Sequence, residues 1–443
     1  MAPVGWPGWP FPLPSRRGSC SHARSVAEGG PTLKGNHILV TVERTLAGPR
    51  RKVAIVEDGE LVEVHFEIPA RQALVGKIYK GRVETVLPGM GAAFVNVGEK
   101  KALFLSDHEI NDDLLQAKGF ERGEESIPIQ KVLRPGDAVV VQVRREGMGK
   151  KNPQGTTKIS LPGRYWVFLP TEDRVAVSRR VSDPEGNHRL RQIAHALKGE
   201  GEGLIARTAA RHASEEDLEL DFRHLRTLWK EIEAAARGST PPLLLHTPLD
   251  LVRTAVRDRF LDSVGSLIVD DAEQHTEILE FLDQLHLPQL RRRVRIYRGT
   301  VPLFVRYNIE RQLREVLQRS IPLKAGGFLV VDETEALTAI DVNTGSDVRH
   351  RNQNAAILST NLEAAREIPR ILRLRKISGI IIVDFVDMES NDEEKVMALL
   401  AQELNKDRVP ADLIGVTKLG LVEITRRREG KSLLSILDES EAP

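Results

Sequence analysis

The chain has one cysteine, Cys20, in 443 residues. That excludes an internal disulfide framework and any zinc site built from several thiolates, and it fits a reducing, cytoplasmic setting. No apolar run approaches the roughly 18–20 residues needed to span a bilayer, so no membrane span is expected. Aromatic residues make up only 5% of the chain, so each one at an informative place carries weight. Charge of one sign is also lacking: 64 Lys and Arg against 63 Asp and Glu leave a formal net charge of +1. A uniformly basic coat is excluded, and any affinity for nucleic acid must come from local patches. Residues 1–36 lack helical or strand periodicity and are rich in Pro, Gly, Ser and Arg, which predicts an unstructured extension. Its prolines interrupt every candidate signal-peptide core. The length suffices for two to four domains, and 41% hydrophobic residues can supply their cores.

Chemistry concentrates between Gly326 and Met388. The stretch opens GGFLVVDETEALTAIDVNTGS, where apolar runs Phe328–Val331 and Ala336–Ile340 flank an acidic turn and predict a strand hairpin. The second run ends on Asp341, with Asn343 and Gly345 following. A later run, Ile380–Val383, ends on Asp384, with Asp387 and Glu389 close behind. Buried strands that end in carboxylates can bring distant acids to one sheet edge. Two acids and an amide carbonyl, all oxygen ligands, suit a hard cation such as Mg²⁺, which can assist phosphoryl transfer. Taken singly, each of these residues reads equally well as a turn or cap residue.

Elsewhere the pattern is organisational. HILVTVER and RKVAIVEDGELVEVHFE predict a hairpin turning at EDG. Short Gly- and Pro-punctuated runs from Val75 to Thr157 predict a small β-barrel, with Tyr79, Phe94 and Phe104 among Lys77, Lys80, Arg82, Lys100 and Lys101. Such barrels stack bases on aromatics within a basic groove, although simple core packing explains the aromatics as well. Ser214 followed by Glu215, Glu216 and Asp217 is a helix start. In IARTAA, Arg207 offers a forked donor suited to phosphate and Thr208 a hydroxyl. Ile309, Leu313, Val316 and Leu317 predict one apolar helix face. Leu358, Leu362, Ala365, Ile368 and Leu372 predict a long helix that Pro369 kinks or ends. Its basic end LRLRK is either a solvated terminus or an RNA-backbone contact. A further helix is expected to start at a cap on Asn391.

EALTAIDVNTG, TNLEAAREI and LRLRKISGIIIVDFVDM, in that order, closely resemble the ribonuclease E/G family of bacterial endoribonucleases. The likeness extends over roughly Leu39 to Leu434. The resemblance implies a multidomain α/β fold: a ribonuclease-H-like subdomain with an inserted OB-fold RNA-binding barrel, a 5′-end sensor, and a catalytic subdomain resembling deoxyribonuclease I. The corresponding segments are an extension (1–36), the leading ribonuclease-H-like segment (37–72), the barrel (73–157), the sensor (158–252), the returning ribonuclease-H-like segment (253–318), the catalytic subdomain (319–434) and a tail (435–443). It implies magnesium-dependent cleavage of single-stranded RNA, favouring 5′-monophosphate ends, in rRNA processing and mRNA decay, with 5′-phosphate products. Asp341 and Asp384 would hold the Mg²⁺, and Asn343 would assist. Phe94 and Phe104 would contact RNA, as would a lysine that an ungapped match places at Lys151, beside Lys150. Arg207 and Thr208, with Gly163 and Val167, would sense the 5′ phosphate. Family members commonly share zinc between chains through a CPxC motif. None is present here, so any homo-oligomer is expected to form without a cysteine zinc link. The competing readings are a non-catalytic RNA-binding relative and a metal-dependent nuclease or phosphatase acting on DNA.

Overall fold

The computed structural model describes residues 33–46, 48–67, 74–120, 127–147, 151–181, 183–261, 263–345, 353–428, 430 and 432–435. Most of the N-terminal extension, Lys150 and most of the tail lie outside these residues. The chain forms two compact units. One gathers the described chain up to Ile68, Val264–His275, and the chain from Arg293 onward; the other gathers Pro69–Ser263 and Thr276–Arg292.

The first unit contains two sheets. The five-stranded sheet runs in the order Val294–Ile296, Val264–Val269, Asn36–Thr45, Gly48–Glu57, Glu60–Glu67. The EDG hairpin forms as expected, with Asp58 and Gly59 both at positive φ (49° and 84°) in the turn. Asn36–Thr45 pairs in parallel with Val264–Val269, so this sheet is completed by chain more than two hundred residues away. The helix Ile309–Leu317 turns Ile309, Leu313 and Val316 onto Leu39, Ala54, Val56, Leu61 and Val64, with Leu317 partly buried at the margin. The described chain begins at Leu33, which also packs on this cluster, and the Gly35 N–H donates to Asp58 at 2.8 Å.

The second sheet has six strands in the order Ser320–Pro322, Phe328–Glu333, Leu337–Asn343, Gly379–Asp384, Val422–Arg426, Ala411–Val416. The expected hairpin is present, closed by Thr334 on Leu337. One face of the sheet carries Leu329, Val331, Ile340, Val342, Ile381 and Val383. These pack with Ala364, Ala365, Ile368, Ile371, Val396 and Leu400 from the helices Gln353–Arg375 and Ser390–Leu404.

Three local expectations change. Pro369 does not end its helix, which continues to Arg375. Proline in a helix interior costs about 3 kcal/mol, but Ile368, Ile371, Leu372 and Leu374 beside it are fully buried, and that burial outweighs the loss. Asn391 is not a cap: the helix begins at Ser390 behind Glu389. Within the basic run Arg375 is neither a solvated terminus nor a phosphate contact, and Arg370, just before the run, is likewise engaged. Arg375 is 2% exposed and donates to the Val316 carbonyl at 2.6 Å and to that of Gln318, while Arg370 donates to the Leu61 carbonyl at 2.8 Å and pairs with Glu367.

The other unit holds the barrel and a four-stranded sheet. Ile78–Leu87 pairs with both Ala92–Asn96 and Ala138–Arg145, and Leu103–Ser106 and Gln154–Thr156 complete a closed five-stranded, OB-like ring. Asn111 caps the short helix Asp112–Ala117 by accepting from the Leu114 N–H at 3.0 Å. The four-stranded sheet runs in the order Val175–Val177, Gly203–Ala206, Trp166–Leu169, Leu161–Pro162. The helix Glu215–Arg237 lies against it, and Ser214 caps that helix as expected, its Oγ accepting from the Asp217 N–H. Among the described residues no helix is long and apolar enough to cross a membrane.

Candidate active site and nucleic-acid surfaces

Leu337–Asn343 and Gly379–Asp384 are neighbouring parallel strands, and Asp341 stands in register with Asp384. Ile340, Val342, Ile381 and Val383 point into the helix-covered core. Side chains alternate along a strand, so Asp341, Asn343 and Asp384 stand together on the opposite, open face. Both aspartates are solvent-exposed. Neighbouring strands lie about 4.8 Å apart, which sets the two carboxylates within reach of one ion. Asn343 Nδ2 donates to Asp341 Oδ2 at 2.8 Å, so its first task in this geometry is to orient that carboxylate. Among the described residues no group of three or more His, Cys, Asp or Glu forms a metal cage. Two carboxylates on an open face still fit Mg²⁺, which keeps most of its octahedral positions for water and phosphate oxygens. Glu389 is directed elsewhere, accepting from Asn354 Nδ2 at 2.9 Å.

Sequence reasoning missed the residue that fixes the chain after Asp384. Asn361 is fully buried. Its Nδ2 donates to the Val386 carbonyl at 2.8 Å and its Oδ1 accepts from the Val386 N–H at 3.2 Å. One amide therefore satisfies both part-buried backbone groups of Val386, two residues past the aspartate. The available signal was an asparagine inside an otherwise apolar helical stripe.

On the barrel, alternation separates the aromatics. Tyr79 is 2% exposed in the core, with its hydroxyl donating to Glu99 at 2.7 Å; burial and the nearby Glu99 carboxylate push that phenol upward. Phe94 and Phe104 are half-buried on the outer face, between interior neighbours Ala93, Val95, Leu103 and Leu105. They are cross-strand partners with ring centroids 6.0 Å apart in an edge-to-face arrangement. The segment carrying Lys151 joins them: the Phe104 N–H donates to the Pro153 carbonyl at 2.8 Å, and Asn152 Nδ2 to the Ala102 carbonyl at 2.9 Å. Lys101 and Lys151 are both exposed there. Lys77 and Lys80 do not belong to this patch. Lys77 is buried, and the Lys80 ammonium donates to the Ala236 carbonyl at 2.7 Å, at the end of the helix Glu215–Arg237.

In the neighbouring sheet, Arg207 follows the strand Gly203–Ala206, and its Nη1 donates to the Gly163 carbonyl and to Asp258 Oδ1, the latter at 2.7 Å. Arg257 grips the same carboxylate at 2.7 and 3.1 Å. Burial alone would raise the Asp258 carboxyl, but hydrogen bonds and charge from Arg257 and Arg207 outweigh it and hold the group well below the usual range. Thr208 Oγ1 lies 3.2 Å from Ser178 Oγ. Val167 pairs with Ile205 and Pro162. Asp221 accepts from the N–H groups of Arg164, Tyr165 and Trp166 at 2.9–3.1 Å. A Cβ on Gly163 would lie 2.6 Å from that carboxylate, so a larger residue there would have to displace Asp221 from its N–H donors. The four predicted residues are thus brought together, and Asp221, Arg257 and Asp258 are the partners the sequence did not reveal.

Comparison with known proteins places the chain in one family. The model of the ribonuclease E/G family matches residues 160–429. Ribonuclease G of Salmonella typhimurium is 38% identical over 388 residues, 87% of this chain and 79% of that protein. Ribonuclease G of Escherichia coli K12 is 37% identical over the same span. Ribonuclease E of Nostoc is 34% identical over 401 residues, 88% of this chain and 57% of that protein. The chain belongs to the ribonuclease E/G family.

Proposed function

We propose that the chain is an endoribonuclease that uses Mg²⁺ to cut single-stranded RNA, leaving 5′-phosphate and 3′-hydroxyl ends. The observation that carries this reading is the in-register pair Asp341 and Asp384 on an exposed sheet face, in a chain similar to proteins named ribonuclease G and ribonuclease E. Asp341 and Asp384 would hold the ion. When bound, Mg²⁺ supplies positive charge at the scissile phosphate and acidifies water. Asn343 keeps the Asp341 carboxylate aimed, and Asn361 keeps the chain beyond Asp384 in place. Phe94 and Phe104 give a stacking surface and Lys101 and Lys151 give charge for a single strand. The forked guanidinium of Arg207, with Thr208, suits a terminal phosphate. Its Nη1 is tied to the Gly163 carbonyl and Asp258, which holds the fork in place beside Thr208.

In this reading the five-stranded sheet is the ribonuclease-H-like subdomain and the six-stranded sheet the deoxyribonuclease-I-like one. The work is rRNA processing and mRNA decay in the cytoplasm. The test is cleavage of a 5′-monophosphorylated single-stranded RNA with Mg²⁺ and with chelator, with an equal DNA oligomer in competition. Ion-dependent cuts that carry 5′ phosphates support the reading. RNA binding without cuts, or preference for DNA, rejects it.

A further inference from the structure

The open face that carries the aspartates also carries an aromatic residue that the proposed chemistry leaves unused. Phe328 begins the strand Phe328–Glu333 and is directly opposite Asn343 on the next strand, while Val330 is opposite Asp341. Cross-strand partners point to the same face, so Phe328 stands beside Asn343 and on the side of the carboxylate pair. Its neighbours Gly327 and Leu329 are buried, yet Phe328 itself is 37% exposed, among the large apolar side chains left open to solvent. Asp341 is its diagonal neighbour, about 7–8 Å away and within reach of an aromatic side chain. The approach of the chain at this point is tight. A Cβ on Gly327 would lie 2.4 Å from the Asn343 carbonyl and 2.9 Å from Thr360, so the backbone carrying Phe328 is held against both the active strand and the long helix.

We propose that Phe328 is a base-stacking platform for the nucleotide flanking the scissile phosphate. The proposal rests on the nuclease reading for the position of that phosphate. A phosphate bound through an ion that Asp341 and Asp384 would hold on this face lies within one nucleotide's reach of Phe328, which is the diagonal neighbour of Asp341. A ring face there meets any of the four bases, because every base has a π-face, so the contact adds affinity and holds the strand in register without choosing a sequence. The aliphatic neighbour Val330 cannot do this, and Asn343 is occupied with Asp341.

The test is binding of a short single-stranded RNA to the full chain in Ca²⁺, with one abasic nucleotide stepped through the sequence. Wild type is expected to lose about 5- to 150-fold in affinity when one particular base is removed. F328A is expected to bind intact RNA more weakly by that factor and to lose nothing further at that register. F328Y and F328W restore the effect, while F328L, which keeps apolar bulk without a ring, does not. Cleavage mapping in Mg²⁺ then sets the sensitive register next to the cut. The proposal is overturned if F328A responds to every abasic position as wild type does, or if F328L equals wild type. It is equally overturned if F328A changes the molar mass of the protein in solution while the abasic profile is unchanged, which would make this face a contact between copies. RNA that shows the stacking signature but is never cut rejects the nuclease reading and leaves the stacking contact standing.

Discussion

Replacing Arg207 by alanine removes two interactions with separable consequences. The first is internal: Nη1 holds the Gly163 carbonyl and Asp258 Oδ1. Arg207 and Asp258 are 22% and 18% exposed, so the pair is only partly screened. Asp258 is not stranded by the change, because Arg257 keeps both of its oxygens. The folding loss is therefore expected near 1–2 kcal/mol, below the ~3–5 kcal/mol of an abandoned buried charge. That corresponds to a fall of a few degrees in Tm. The paired arginines depress the folded pKa of Asp258, so their stabilisation is fully present above the unfolded value near 3.9 and is lost only as pH falls through the folded one. An assay at pH 7–8 therefore sees an intact pocket. The second loss is functional: a charge-assisted contact to a terminal phosphate is worth roughly 1.5–3 kcal/mol, or about 10- to 150-fold. The assay compares kcat/KM for one RNA carrying either a 5′ monophosphate or a 5′ hydroxyl. Arg207→Ala is expected to slow the first by that factor and to leave the second nearly unchanged. Equal slowing of both would refute the reasoning and make Arg207 a purely structural partner of Asp258.

Asn361→Ala removes both side-chain hydrogen bonds to the part-buried N–H and carbonyl of Val386, and at up to ~1–3 kcal/mol per group it is expected to lower stability and, well below the melting transition, kcat more than KM; an unchanged kcat in folded protein would show that the chain after Asp384 holds its place unaided. Phe94→Ala and Phe104→Ala are each expected to weaken RNA binding by about 1–3 kcal/mol, measured by anisotropy, with little change in Tm because both rings stand outside the barrel core. Tyr79→Ala is expected to do the reverse, lowering Tm by opening a cavity in that core.

The six-stranded sheet shows which features a sequence can carry. Two apolar runs ending in aspartate were visible, and so was the hairpin, because strand period and turn chemistry are local. Their register was not: Asp341 meets Asp384 only because the chain between them, including the helix Gln353–Arg375, returns the second strand parallel to the first. The fate of charged residues was also hidden. Lys80, Arg370 and Arg375 look like RNA contacts in a basic string, yet each is engaged with backbone carbonyls distant in sequence. Alternation explains why Tyr79 is core and Phe94 is not, but only once the barrel's inner face is known. Asn361 and Asp221 act on backbone groups 25 and at least 55 residues away; a lone asparagine in an apolar helical stripe marks Asn361 as unusual, but no local pattern names its partner.

The central claim is that Asp341 and Asp384 hold one ion for RNA cleavage. It is tested most directly by single-turnover cleavage with excess Asp341→Asn or Asp384→Asn enzyme, measured beside RNA affinity. Each amide keeps the side chain's shape but removes one of the two charges available to the ion. The expected loss is several kcal/mol of transition-state stabilisation, about 10³-fold or more in rate, with RNA affinity close to that of wild type and partial recovery at raised Mg²⁺ or with Mn²⁺. Near-normal cleavage by either variant would contradict the account and remove that aspartate from the site.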